Sequence, residues 1–187
     1  MIGYLSGTVH SVSEKDMIIL ISGVGYKVLS PLPTLLAQVV GKPVSLFIHT
    51  HVREDALTLF GFEKEVELEL FNRLTSVSGI GPKSALAMLS VHSPASIADA
   101  VERDDASLLS HTPGIGKKTA EKIIIELKGK LEHMRNTQGG SDALFDVRLA
   151  LEALGYSPRE VNEALTKLNP TGKNTNMLIK EALTQLK

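Results

Sequence analysis

Thr75-Ser76-Val77-Ser78-Gly79-Ile80-Gly81-Pro82-Lys83-Ser84-Ala85 returns 35 residues later as Ser110-His111-Thr112-Pro113-Gly114-Ile115-Gly116-Lys117-Lys118-Thr119-Ala120. Both copies read Gly-Ile-Gly, two residues, a hydroxyl residue, then Ala. Each lies between one stretch of helical periodicity and the next. The first Gly of such a motif lets the chain turn sharply with φ > 0. Ile80 or Ile115 points inward and locks the hairpin onto its helices. The second Gly leaves its amide unobstructed where the next helix starts. That end presents unpaired N–H groups and the positive end of the macrodipole, which together suit a phosphate. Lys83 in the first copy, and Lys117 and Lys118 in the second, add charge, and Lys122 extends it one turn further. Gly79, Gly81, Gly114, Gly116 and these four lysines are therefore the candidate DNA-binding residues. Backbone amides touch phosphates rather than base edges, so such a contact positions DNA without reading its sequence.

A single Gly-Ile-Gly could be an ordinary helix–helix turn; two copies with matched flanks and lysines favour DNA. Other phosphate loops do not fit. Walker A needs Gly-Lys-Ser/Thr with a Gly five residues before, but Gly116-Lys117 is followed by Lys118 and the upstream position is His111. The dinucleotide fingerprint fails because Gly114-Ile115-Gly116 follows helical sequence and lacks the third glycine.

Bulk charge argues the other way. The 187 residues carry 20 basic and 21 acidic side chains, a net charge of -1. Residues 1–62 hold four of each, residues 63–138 ten and eleven, and residues 139–187 six and six. Any positive potential must therefore be local, made by a few lysines and oriented amides. Cysteine is absent, which excludes disulfides and thiolate metal sites and fits a reducing cytosol. No apolar run approaches the roughly 20 residues that span a bilayer. Met1-Ile2-Gly3-Tyr4 has no basic stretch followed by an apolar one, so no secretory signal is expected. A cytoplasmic protein with no membrane partner and no cofactor is the expectation.

On the N-terminal side of the repeat, residues 1–62 read as β. Strand-like runs are Ile2–Val12, Met17–Ile21, Gly25–Leu29, Val44–Thr50 and Ala56–Phe62, with a short helix over Leu32–Val40. Five such strands suggest a small barrel or meander. Residues 63–133 read as helical: Glu63–Leu74, Pro82–Val91, a helix capped by Ser93 with Pro94 in its first turn, a short helix capped by Asp104 or Asp105, and one long helix from Gly116 or Lys117 to about Met134. Residues 134–142 are polar with Gly139-Gly140 and read as a flexible linker. Residues 143–187 read as three helices: Asp146–Leu154, closed by Gly155; one starting at Ser157-Pro158 and running through Leu168; and one from Asn174 or Thr175 through Leu186. A bundle that small is marginally stable alone.

Arg53-Glu54-Asp55 lies between the last two strands and should form a hairpin tip. Acidic residues are common in solvated turns. The functional alternative is that Glu54 and Asp55 face DNA and repel its phosphates, parting strands rather than binding them. The six histidines show no metal spacing and read as scattered surface residues. Glu63, Glu65, Glu67 and Glu69 read as a solvated helix face. No catalytic triad or carboxylate pair can be nominated.

Over nearly its whole length the chain resembles the RuvA family of bacterial Holliday-junction-binding proteins. The matching segments are Met1-Ile2-Gly3, Gly23-Val24-Gly25-Tyr26, Val52-Arg53-Glu54-Asp55-Ala56, Leu59-Phe60-Gly61-Phe62, both hairpins, and Ala153-Leu154-Gly155-Tyr156. The resemblance implies an OB-fold β-barrel, a central all-α double helix-hairpin-helix domain and a C-terminal three-helix domain. It also implies a homotetramer cradling four-way junction DNA, with one tetramer or two per junction. Glu54 and Asp55 match the family's acidic pin. Lys122 stands where other members carry Arg, which keeps the charge and loses the fork. Leu151, Leu154, Tyr156 and Leu183 match the apolar positions that hold a hexameric RuvB-type ATPase, although bundle core explains the same residues. A RuvC-type resolvase is a further implied partner. On this reading the chain is not itself an enzyme. A repair nuclease or glycosylase would need a catalytic carboxylate or lysine at a hairpin exit, and none stands out. A single-strand binder led by the barrel would have few stacking rings, with three Tyr, five Phe and no Trp.

Overall fold

The computed structural model describes residues 1–134, 147–148, 150–156, 160–161, 164–165, 168 and 175–186. They fall in two compact units, Met1–Arg135 and Asn136–Lys187.

The first unit begins with five strands: β1 (Tyr4–Val12), β2 (Asp16–Ile21), β3 (Val24–Leu29), β4 (Pro43–Val52) and β5 (Leu57–Phe62), with helix α1 (Leu32–Ala37) between β3 and β4. They close into a barrel in the order β1-β2-β3-β5-β4. All pairs are antiparallel except β3–β5. The five short strands thus form the small barrel rather than the meander, in the OB-type arrangement that the resemblance implied. A register shift between Val9 and Ser11 bends β1 so that it can pair with both β2 and β4. Alternation fills the interior with Leu5, Val9, Met17, Ile19, Val28, Leu46, Ile48 and Leu59.

β5 is apolar on both faces. Leu59 points into the barrel, and a Cβ on Gly61 would meet Val28 at 2.5 Å and Leu46 at 2.9 Å, so that position must stay bare. Phe60 and Phe62 point the other way, into the helical core. Their rings lie 5.1 and 5.0 Å from Phe71. Aromatic pairs at this spacing add about 0.5–1.5 kcal/mol each beyond the area they bury. Barrel and helices therefore share one hydrophobic seam.

The helical layer comprises α2 (Glu65–Ser76), α3 (Pro82–Val91), α4 (Pro94–Glu102), α5 (Ala106–Ser110) and α6 (Lys117–Leu127). Ser93 accepts from the Ser96 N–H and caps α4; Asp105, not Asp104, caps α5 through the Leu108 N–H. The expectation of one helix from residue 117 to about Met134 is corrected. α6 stops at Leu127, Gly129 takes φ 74°, and Leu131 and Met134 reach the core from a separate 3-10 turn at Glu132–Met134. The break is held from outside the helix. The Glu102 carboxylate accepts the Gly129 N–H at 2.9 Å, and Lys128 pairs with Asp104 at 2.6 Å.

Among the described residues of the second unit, Val147, Leu151, Val161, Ala164, Leu168, Leu178 and Ala182 form its core. Gly155 takes φ 93°, with its N–H on the Glu152 carbonyl and the Tyr156 N–H on that of Leu151. That is the expected closure of a helix by a C′ glycine. The last helix is Thr175–Gln185. Linker residues 135–142, the helix starts expected at Asp146 and Ser157-Pro158, and Asn174 lie outside the described residues. No helix among the described residues is long and apolar enough to cross a membrane.

Candidate nucleic-acid interface

The two Gly-Ile-Gly motifs join α2 to α3 and α5 to α6, and their backbones coincide. Gly79 and Gly114 turn at φ 93° and 85°. Gly81 and Gly116 then cap the following helices at φ −90°, ψ 169° and φ −83°, ψ 166°. Ile80 and Ile115 are 5% and 4% exposed, and their N–H groups each bond, at 3.0 Å, to the carbonyl three residues before. Ala85 and Ala120, fully buried, close the first turn onto Gly81 and Gly116. The sequence thus folds each motif as a buried isoleucine between two bare, exposed glycines. Nothing lies within 4 Å of where a Cβ on any of the four glycines would sit.

Neither α3 nor α6 has a side chain capping its N-terminus. The first-turn N–H groups therefore face outward with no acceptor among the described residues. In α6 they come from Lys117, Lys118 and Thr119. In α3, Pro82 at the first position removes one. Lys83, Lys117 and Lys118 are exposed; Lys122 is half-buried and stands 3.9 Å from Glu126. Oriented amides, the helix dipole and mobile ammonium groups converge at both ends, the combination that retains an oxyanion of a phosphodiester.

Glu54 and Asp55 occupy a four-residue turn closed by the Arg53 N–H on the Ala56 carbonyl at 2.8 Å. Both are exposed, and neither has an ion-pair or hydrogen-bond partner among the described residues. Neighbouring Arg53 donates from Nε to His51 Nε2 at 3.1 Å.

Several side chains depart from their expected roles. Glu63, Glu65, Glu67 and Glu69 are not one solvated face. Glu67 accepts the Lys64 N–H at 3.2 Å, and burial raises its pKa. Glu63 accepts from Gln38 at 2.6 Å and is likewise raised by burial. Glu69 binds Arg73 at 2.7 Å and His133 at 3.1 Å, and the Arg73 hydrogen bond, then that of His133, lowers its pKa. His10, His111 and His133 are exposed as expected, but the other three histidines are not scattered surface residues. His49 and His51 stack beside Phe60 and Phe71, and His92 is half-buried, with its pKa lowered by burial and then by His111. Alternation along β4 places His49 and His51 on one face, with Arg53 next in step just past the strand; that signal was available in the sequence. Leu151, expected to face a partner, is instead fully buried in the core of the second unit. Leu154 is 62% exposed, and Tyr156 and Leu183 are half-buried at the edge of that core. Among the described residues no cluster of three or more His, Asp or Glu could hold a metal ion.

Comparison with known proteins follows the same three-part division. Residues 1–61 match the family model "RuvA N terminal domain", residues 71–130 "SAM-like Helix-hairpin-helix tandem", and residues 142–187 "RuvA, C-terminal domain". The Holliday junction branch migration complex subunit RuvA of Lactobacillus helveticus is 41% identical, covering 100% of this chain and 98% of its own. The protein of that name from Acholeplasma laidlawii is 41% identical over 98% and 97% of the two chains. The one from Dehalococcoides mccartyi is 44% identical over 92% and 91%.

Proposed function

The chain belongs to the RuvA family of Holliday junction branch migration complex subunits, and from that premise we propose that it grips four-way DNA junctions as a homotetramer and recruits a hexameric RuvB-type ATPase. The observation that carries the reading is the pair of matched hairpins, each ending in an uncapped helix with exposed lysines. Such ends bind phosphates of any sequence. A tetramer would lay one subunit, with its two hairpins, along each arm. Gly79, Gly81 and Lys83 hold one stretch of backbone, and Gly114, Gly116, Lys117, Lys118 and Lys122 hold another.

Glu54 and Asp55 complete the mechanism by repulsion. Two unneutralised carboxylates at the end of a stiff hairpin raise the energy of phosphates that approach the crossover. Hairpins thus hold the arms while the tips disfavour re-pairing at the centre. ATP hydrolysis and translocation belong to the partner; this chain supplies grip and geometry. Exposed Leu154, together with Tyr156 and Leu183 at the edge of the core, offers the apolar surface for that partner, and Leu151 supports it from the core. A RuvC-type resolvase acting on the same held junction is a further partner.

Gel shifts with a four-way junction, a matched duplex and a single strand test the reading. Junction binding should be tightest, with a particle mass of four chains; equal affinity for all three substrates would overturn it. Glu54→Gln with Asp55→Asn should tighten junction and duplex binding while slowing ATPase-driven migration. Unchanged binding together with unchanged migration would remove the tips from the mechanism.

A further inference from the structure

The β4–β5 hairpin carries more than its acidic tip. His49 and His51 alternate along β4 and share one face, and Arg53 follows one residue past its end. From the core outward the rings form a ladder. Fully buried Phe71 lies 5.2 Å from His49, which is stacked on His51 at 6.2 Å and 25°. Phe60 braces His51 edge-on at 6.4 Å and 73°. The ladder ends in solvent at the Arg53 guanidinium, which donates from Nε to His51 at 3.1 Å. That choice is informative. Arg53 precedes two exposed carboxylates in the chain, yet it forms no ion pair with Glu54 or Asp55 and is held by an imidazole instead. A bond made in the guanidinium plane leaves the faces of that plane available.

We propose that the His51–Arg53 end of this ladder is a stacking platform for a nucleobase parted from its partner at the junction centre. The proposal rests on the junction-binding reading above. Guanidinium planes and histidine rings are surfaces on which unstacked bases settle, whatever their identity. A phosphate is the competing occupant of an arginine. Here Glu54 and Asp55 adjoin the guanidinium, so a phosphate meets two negative charges for one positive, whereas a neutral base meets no such repulsion. The tip and the platform then divide the work: carboxylates exclude the backbone, and the ladder accepts the base set free.

The test uses the full chain and a four-way junction with 2-aminopurine at the crossover, at protein concentrations where a gel shift shows every junction bound. Stacking quenches the probe. Arg53→Lys keeps the charge and removes the plane. Base stacking worth about 1–3 kcal/mol is a factor of about 5 or more in stacked population, so emission from the Arg53→Lys complex should exceed that of the original complex about two-fold or more. His51→Ala, which frees the guanidinium from its anchor, should give a smaller rise in the same direction. If emission is equal or lower in both variants while the junction stays bound, the platform is overturned and junction binding stands. If the original chain shifts no junction, the functional reading falls and the platform falls with it.

Discussion

Between Leu74 and Ala85 the first hairpin makes the same backbone hydrogen bonds that the second makes between Leu109 and Ala120. The side chains mounted on that common frame differ. Where the second carries Lys117, Lys118 and Lys122, the first carries Pro82, Lys83 and Ala87. Where the first buries Val77, the second buries Thr112, both at 2% exposure. Backbone geometry decides that each hairpin can take a phosphate. Side chains decide how strongly it does so and how well the turn is packed. The second hairpin carries more local positive charge, and it buries a hydroxyl where the first buries a methyl.

The largest expected effect breaks that asymmetry in charge. Lys117→Gln with Lys118→Gln should weaken junction binding about 10- to 100-fold at physiological salt and flatten the log–log salt dependence by about 0.9 for each phosphate that a subunit no longer neutralises. Lys83→Gln should cost severalfold and flatten the slope by about half as much. Titrations at several salt concentrations decide it. Equal losses from the two hairpins would mean that backbone amides alone set the grip.

A smaller effect concerns packing. The Thr112 hydroxyl is buried with no hydrogen-bond partner among the described residues. An unsatisfied buried hydroxyl costs about 1–3 kcal/mol. Val77→Thr should therefore destabilise the first unit by about that much, and Thr112→Val should stabilise it by about 1 kcal/mol. Denaturant midpoints read both. A stabilising Val77→Thr, or a clearly destabilising Thr112→Val, would show that the hydroxyl has a role the hairpin frame does not explain.

The contrast also shows what a sequence can reveal. The hairpins were legible because Gly-Ile-Gly answers to local geometry: a positive φ, an inward side chain and an open amide follow one another along the chain. The barrel was legible because five short strand-like runs, with Gly at bends and turns, follow one another within residues 1–62. The early end of α6 was not, because Leu127 and Leu131 keep helical spacing across the break and the group that stabilises it, Glu102, comes from another helix. The Glu63–Glu69 series failed as a solvated face for the same reason, since Gln38 and His133 reach it from distant points in the chain. Leu151 and Leu154 are three residues apart, yet one is core and the other is 62% exposed. The helix ends at Ala153, just before Leu154, and periodicity cannot register that.

The smallest effect joins the two hairpins through their histidines. His92 caps the end of α3 and His111 the end of α5. Burial, and then the charge of His111, hold the His92 pKa below its ordinary value of about 6.5. Around that pH the unfolded chain binds more protons than the folded one, so this group's contribution to stability is intact above about 6.5 and is lost as pH falls through the folded-state value. Glu63 and Glu67 have the opposite sign. Burial raises their pKa values, so the folded state binds more protons and their effect grows more favourable as pH falls toward their range. The whole-protein profile mixes the two, and a difference between variants separates them. His92→Phe keeps a ring and removes the titration; melting temperatures from pH 7.5 to 5.5 should fall less steeply than for the original chain. His111→Asn should flatten the profile only in part, since it leaves the burial of His92 in place. Identical profiles for the original chain and His92→Phe would show that this residue does not couple the hairpins to pH.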